Sequence, residues 1–317
     1  MKKFLGFLLI TLLAVTLAAC GGESSSNEDT SGDSTDDSNG SETTETPESL
    51  VMGFVPSQDS DTIADTVEPL ADRLSEELGM EVEGKVMTDY SALIEAMGAN
   101  EVQIGFIPAF AYVLANEQYG VDVQLKSVRY GSGTYKAQYV VRADSGIESL
   151  EDLEGKIWAY PDAASTSGFL FPASQLMGEF DIDSAEALQT EFFSESIAAG
   201  GHDTAAIAVY EGDADVATTF DDVRGDLTEE YPDIEEELKV LGYTSDIPND
   251  TISTVKELDE ELVTKINEIF LSFNEDEEMI KIMNEVYSWD AIEAAEDSEY
   301  QVVRDTYSKL KDSITLD

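Results

Sequence analysis

Apolar positions in this chain come in short, regularly spaced groups. Residues 50–55 form a compact apolar run that predicts a strand. In 61–78, Ile63, Val67, Leu70, Leu74 and Leu78 fall on one face of a helix, and Gly79 marks its end. Further strands are expected at 81–87 and 102–107, and further helices at 91–97 and 109–118. This alternation predicts a mainly parallel sheet with helices on its faces.

Two more strands, 124–129 and 136–142, are joined through Gly131 and Gly133, and the alternation then restarts. Strands are expected at 156–160, 215–219, 238–243 and 251–254, with helices at 169–177, 205–211 and 221–227. No glycine occurs after Gly242, and helices are expected at 258–273, 279–287 and 298–312. The fold class is therefore α/β in two lobes, 49–140 plus 250–317 and 141–249. The chain would cross near 140–145 and return near 245–250, leaving a hinged cleft. Small solutes favour such interfaces and the carboxyl ends of the strands.

The first 48 residues have another character. Lys2 and Lys3 precede an apolar run from Phe4 to Leu17 that is shorter than the roughly 20 residues of a membrane-spanning helix. Residues 1–19 read as an export signal. Leu17-Ala18-Ala19-Cys20 has the form of a bacterial lipidation site, which gives Cys20, the sole cysteine, the role of a lipid anchor. Residues 20–48, after Cys20, are rich in Ser, Thr, Asp, Glu and Gly and read as a disordered acidic tether. The expected location is the extracytoplasmic face of the cell membrane.

Acidic residues number 68 and basic residues 17, for a net charge of −51. That balance excludes a nucleic-acid partner. The acid is spread along the chain and the hydrophobic fraction is 42%, so a folded domain with an acidic surface is expected. Such a surface suits strong salt, where charges are screened over about 3 Å at 1 M.

Candidate chemistry lies in four places. Ser165-Thr166-Ser167-Gly168 follows a strand and opens a helix. Helix starts carry unpaired N–H groups and partial positive charge, and hydroxyls add neutral donors, so anion binding and plain capping both fit. His202, the only histidine, sits in a glycine turn before a helix and can donate to an anion or lie idle on the surface. Asp221, at a strand end, can accept from a protonated ligand oxygen or cap the next helix. Tyr90, after the strand 81–87, can present a hydroxyl from the other lobe or simply pack. The sequence contains no phosphate-binding glycine loop, zinc cluster or nucleophile elbow, and no cofactor or metal is expected.

Several segments together resemble the phosphate, phosphite and phosphonate ABC-transporter binding proteins. They are Gly53-Phe54-Val55-Pro56-Ser57, the run from Thr88 to Met97, Gly105-Phe106-Ile107-Pro108, Ser149 to Lys156, Ser165 to Gly168, Gly201-His202-Asp203, Gly212 to Ala217, and Thr219 to Arg224. The resemblance spans about residues 50–310. It implies a type II periplasmic-binding fold that closes over a phosphorus oxyanion. It also implies ligand contacts from Tyr90, Ser165, Thr166, Ser167, His202 and Asp221, with Tyr135 added. The implied partners are the ligand, an ABC permease and, through Cys20, the membrane, with the protein acting as a monomer and not as an enzyme. A bilobal phosphoester- or phosphonate-acting enzyme and a ligand-sensing lipoprotein are the alternatives. The departure from the family pattern is the scarcity of Lys and Arg.

Overall fold

The computed structural model describes residues 47–314. The export signal 1–19, the lipidation of Cys20 and nearly all of the tether lie outside the described residues.

The strands in chain order are β1 (Ser49–Phe54), β2 (Glu81–Val86), β3 (Ile104–Ile107), β4 (Asp122–Val128), β5 (Thr134–Tyr135), β6 (Ala137–Arg142) and β7 (Ile157–Tyr160). They continue with β8 (Glu195–Ala198), β9 (Val216–Phe220), β10 (Leu238–Tyr243), β11 (Ile247–Pro248), β12 (Thr251–Thr254) and β13 (Ala291–Ala294). One sheet has the order β13-β4-β12-β3-β1-β2 and the other β10-β6-β9-β7-β8. The two-stranded ladder β5–β11 lies at the chain's passage between them. The fold is the two-lobed type II periplasmic-binding arrangement.

Neither sheet is wholly parallel. β1 runs parallel to β2 and β3, as the alternation predicts. Returning from the second lobe, β12 inserts antiparallel between β3 and β4. In the second sheet β7 is parallel to β8 and β9, whereas β6 opposes β9. Strands that continue the βαβ winding stay parallel, and those fed from the crossing run the other way.

The helix Ser60–Leu78 buries Ile63, Val67, Leu70 and Leu74. It ends at Gly79, whose φ of 71° is the left-handed conformation that only glycine adopts without strain. Asp89 caps the helix Tyr90–Gly98 by accepting from the Ala92 amide at 2.7 Å, so Tyr90 enters the interior at its first turn.

The C-terminal region differs from the all-helical expectation. Ala291–Ala294 forms an edge strand on β4. Its alternation is too short, and too broken by Glu293, to register as a strand in the sequence. The helix Glu277–Tyr287 packs on Ser60–Leu78. The last helix, Gln301–Leu310, touches both Ala109–Tyr119 of the first lobe and Phe171–Glu179 of the second. Segment 221–227 is likewise less helical than expected. Only Val223–Asp226 is helical, and its cap is Asp222, which accepts from the Arg224 amide.

Candidate functional site

The strand ends converge on a cavity of about 30 Å³ between the two sheets. That is room for a solute of a few heavy atoms. β1 and β3 bring Val55, Phe106 and Ile107 to it, and β9 brings Phe220. Tyr90, Tyr135, Ser165, Ser167 and His202 all line it. Five of the seven expected ligand residues, spread over the chain from Tyr90 to His202, are thus brought together.

The other two are not on the cavity wall. The Thr166 hydroxyl turns away and accepts from the Phe110 amide at 2.8 Å, a bond between the lobes. Asp221 is half-buried and its Oδ1 accepts from the Lys136 amide at 3.3 Å. Nor does Asp221 cap the following helix, a role that Asp222 holds.

The Ser165–Ser167 turn is built by its neighbours. β7 ends at Tyr160, and Asp162 accepts from the Ala164 amide at 2.7 Å. Ser165 then caps the turn, its Oγ accepting from the Gly168 amide at 3.0 Å. Thr166–Leu170 coils as a wide helical turn that runs directly into Phe171–Glu179. Pro172 causes an opening in it, because it has no N–H to give the Gly168 carbonyl four residues back. The Thr218 hydroxyl donates to that carbonyl instead, at 2.5 Å, and in turn accepts from Trp158 Nε1 at 2.8 Å. Gly168 itself lies against the Pro161 ring so closely that a Cβ would overlap it. The amides of Thr166 and Ser167 precede the first intrahelical bonds, where a helix start attracts anions.

His202 is 4% exposed and opens the helix His202–Glu211. Its own amide donates to the Ser57 carbonyl across the cleft at 2.8 Å. Nδ1 accepts from the Phe220 amide at 3.2 Å, and Nε2 lies 3.4 Å from Ser165 Oγ. Burial, reinforced by the Arg129 cation nearby, holds the imidazole pKa down to about 3. The ring is therefore neutral at ordinary pH and offers Nε2–H as a donor. A cationic histidine, the other form open to this residue type, is not the resting state.

The tyrosines are equally committed to their protonated form. Burial raises the Tyr90 and Tyr135 hydroxyls far above the usual phenol range, with Asp162 adding to the effect at Tyr90 and Asp250 at Tyr135. Both keep their protons and can donate or accept.

Sequence reasoning missed Gln58 on the wall, and four further wall residues from more distant parts of the chain. Arg129 follows β4 and Asp250 precedes β12, both at the passage between the sheets, while Tyr287 and Trp289 come from the C-terminal region. Position at a strand end was a signal for Arg129. For the two aromatics no local signal exists. Trp289 stacks obliquely on Phe106, with centroids 5.8 Å apart, and its buried Nε1 has no partner among the described residues. Phe106 in turn stacks on Phe54 at 4.3 Å.

The cavity lining therefore combines polar donors, from Ser165, Ser167, Tyr90, Tyr135 and His202, with apolar surface from Val55, Phe106, Ile107 and Phe220. Asp250 is the one carboxylate-bearing residue on its wall among the described residues. No group of three or more His, Cys, Asp or Glu side chains able to hold a metal occurs among the described residues.

Comparison with known proteins decides the family. Residues 52–300 match the family described as ABC transporter, phosphonate, periplasmic substrate-binding protein. The chain belongs to this family. It is 29% identical over 229 residues to the phosphate-import protein PhnD of Mycolicibacterium smegmatis, covering 71% of each chain. It is 27% identical over 265 residues to the phosphonates-binding periplasmic protein of Escherichia coli, covering 82% of this chain and 76% of that one. Among solved structures it is similar to PhnD1 of Prochlorococcus marinus in complex with methylphosphonate, with a TM-score of 0.74 at 18% identity, over 84% of this chain and 99% of that one. As a member of this family, the chain is a substrate-binding protein of the phosphonate ABC-transporter type. No helix of the described residues is long and apolar enough to cross a membrane.

Proposed function

We propose that this family member is a lipid-anchored monomer that captures one small phosphonate, phosphite or phosphate ion and delivers it chemically unchanged. The observation that carries this reading is the mixed polar and apolar lining of the cavity. Neutral donors from Ser165, Ser167, Tyr90, Tyr135 and His202 suit the unprotonated oxygens of a tetrahedral oxyanion. The apolar lining residues suit a hydrogen or a short organic group on phosphorus, and the small volume disfavours a bulky ester. Thr166 and Asp221 act from behind the wall. Thr166 ties the donor turn to the first lobe, and Asp221 holds the backbone entering β6. The lobes divide at the β5–β11 ladder, which serves as the hinge. Cys20 carries the anchor.

Isothermal titration with methylphosphonate, phosphite, phosphate and sulfate tests the ligand class. Saturable one-to-one binding of at least one phosphorus anion is expected, and binding of none of them would overturn the reading. Phosphorus NMR of the same samples after long incubation should show the ligand intact, and appearance of a new phosphorus species would establish an enzyme instead. Replacement C20A should release the protein from the membrane fraction.

A further inference from the structure

Arg129 is an anomalous charge among the described residues. It is 4% exposed, yet Nε and Nη2 have no hydrogen-bond partner among the described residues. None of the ion pairs among the described residues includes it. Acidic residues outnumber basic ones 68 to 17 in this chain, so a carboxylate partner would be easy to supply. Instead the guanidinium sits against two rings, 4.8 Å from the centre of Phe220 and 5.6 Å from that of Tyr135. Ring faces attract a cation but satisfy none of its N–H groups. A buried cation with open donors is strongly unfavourable unless something completes it. Arg129 lines the same cavity as Ser165, Ser167 and His202.

We propose that Arg129 is the counter-ion of the bound oxyanion, and that its charge makes the site prefer the doubly ionised ligand to the singly ionised one. The inference rests on the function proposed above. The hydroxyls and the neutral His202 donate to either form, so they separate the two only weakly. A fixed cation adds an attraction that grows with ligand charge, and a guanidinium can offer two parallel N–H groups to two oxygens. The stacking on Phe220 orients the planar fork, while the rings leave its edge open.

The other titratable groups around Arg129 are Asp250 on the cavity wall, Asp221 and Asp226 farther off, and His202 and Tyr135. Burial makes each of the three aspartates harder to ionise, and Arg129 partly offsets that. His202 and Tyr135 keep their neutral forms through the neutral range. Rising pH removes the ligand's second proton and strengthens its attraction to Arg129. Any ionisation of Asp250 on the same rise opposes it. The contribution of Arg129 is therefore the difference between wild type and variant at each pH, where Asp250 is present in both.

The test uses methylphosphonate as the probe, titrated into wild type, R129M, R129K and S167A at about pH 5.5 and about pH 8.5, below and above the loss of the second proton. R129M should lose on the order of a hundredfold in affinity at the higher pH and only a few-fold at the lower. R129K, with the charge but not the planar fork, should fall between. Thermal melts establish that each variant is folded. As a check independent of any variant, the Arg129 side-chain Nε–H resonance of the wild type should shift on saturation. If R129M binds within twofold of wild type at both pH values and that resonance stays still, while S167A loses affinity, Arg129 is not the counter-ion and the oxyanion site stands. A wild type that takes up neither methylphosphonate, phosphite nor phosphate overturns both.

Discussion

The backbone N–H of Phe220 donates to Nδ1 of His202 at 3.2 Å. An accepting Nδ1 places the single proton of the neutral ring on Nε2, the nitrogen beside Ser165. A bond made by the end of β9 thus sets which ring nitrogen of a residue on another element carries the donor proton. The same bond holds the ring still, so donation to an anion costs little reorganisation.

Two substitutions separate the structural bond from the ligand bond. In H202N the amide oxygen can replace Nδ1 as acceptor for Phe220, but nothing reaches the Nε2 position. Stability should stay within about 1 kcal/mol of wild type, while affinity for methylphosphonate falls roughly tenfold or more. In H202Q the longer side chain can supply a donor near the Nε2 position but leaves the Phe220 amide unpaired. Its stability should fall by about 1–3 kcal/mol, with affinity better kept than in H202N. Urea melts and titration calorimetry on both variants check this, and equal affinity loss would place the His202 donor outside the contact.

The depressed His202 pKa carries a sign. Folding holds it near 3 against an unfolded value of about 6.5, so the unfolded chain binds the extra proton first. The neutral ring's contribution is complete above about pH 6.5. It is lost as pH falls toward 3, at up to about 1.4 kcal/mol per pH unit. Asp162, Asp221 and Asp250, all raised chiefly by burial, work in the opposite direction. The expected signature is therefore a difference. Wild type should lose more stability than H202N between about pH 6.5 and about pH 4 in parallel urea titrations, and parallel curves would refute a buried neutral imidazole.

Thr218 tests how the donor turn is held. Its hydroxyl serves both the Gly168 carbonyl, orphaned by Pro172, and the Trp158 indole. T218V keeps the shape and leaves both groups buried without partners. A loss of about 2–4 kcal/mol in denaturant melts is expected, together with weaker ligand binding because the turn bearing Ser165 and Ser167 loosens. A loss under about 0.5 kcal/mol would show that the turn is held by packing alone.

The charge balance of −51 predicts a response to salt. Repulsion among surface carboxylates weakens as ionic strength rises, and the exposed ion pairs that salt also weakens contribute little. The melting temperature should rise between about 0.05 M and about 2 M sodium chloride. An unchanged or falling melting temperature, with sodium sulfate as a control for preferential exclusion, would argue against a fold adapted to high salt.

Much of the first sheet was legible because its signals are local. The buried face of Ser60–Leu78 repeats every three or four residues, and Gly79 supplies the left-handed stop. β3 is apolar at nearly every position because both of its faces are covered. Less legible was what depends on distant neighbours. Residues 195–198 carry little apolar signal, and they form β8 because β7 offers an edge to pair with. Residues 291–294 become a strand only against β4.

The same division runs through the site. Local spacing marked Ser165, Ser167, His202 and Tyr90, because hydroxyls and a lone imidazole at strand ends and helix starts are set by the chain itself, whereas Tyr135 came only from the family resemblance. Local spacing could not tell which of three adjacent hydroxyls face the cavity. Thr166 turns outward only because the Phe110 amide, 56 residues away, is there to meet it. Sequence reasoning named Asp221 and passed over Asp250, the carboxylate that lines the cavity, because a carboxylate's place in a cleft depends on the path of the chain between the lobes. Arg129 shows the difference most clearly. In the sequence it is one basic residue ending a strand. Only the packed molecule sets it against Phe220 and Tyr135 on the cavity wall, pairs it with no carboxylate, and leaves Nε and Nη2 without partners among the described residues. Pairing and burial are properties of contacts between residues far apart in the chain, and no local pattern encodes them.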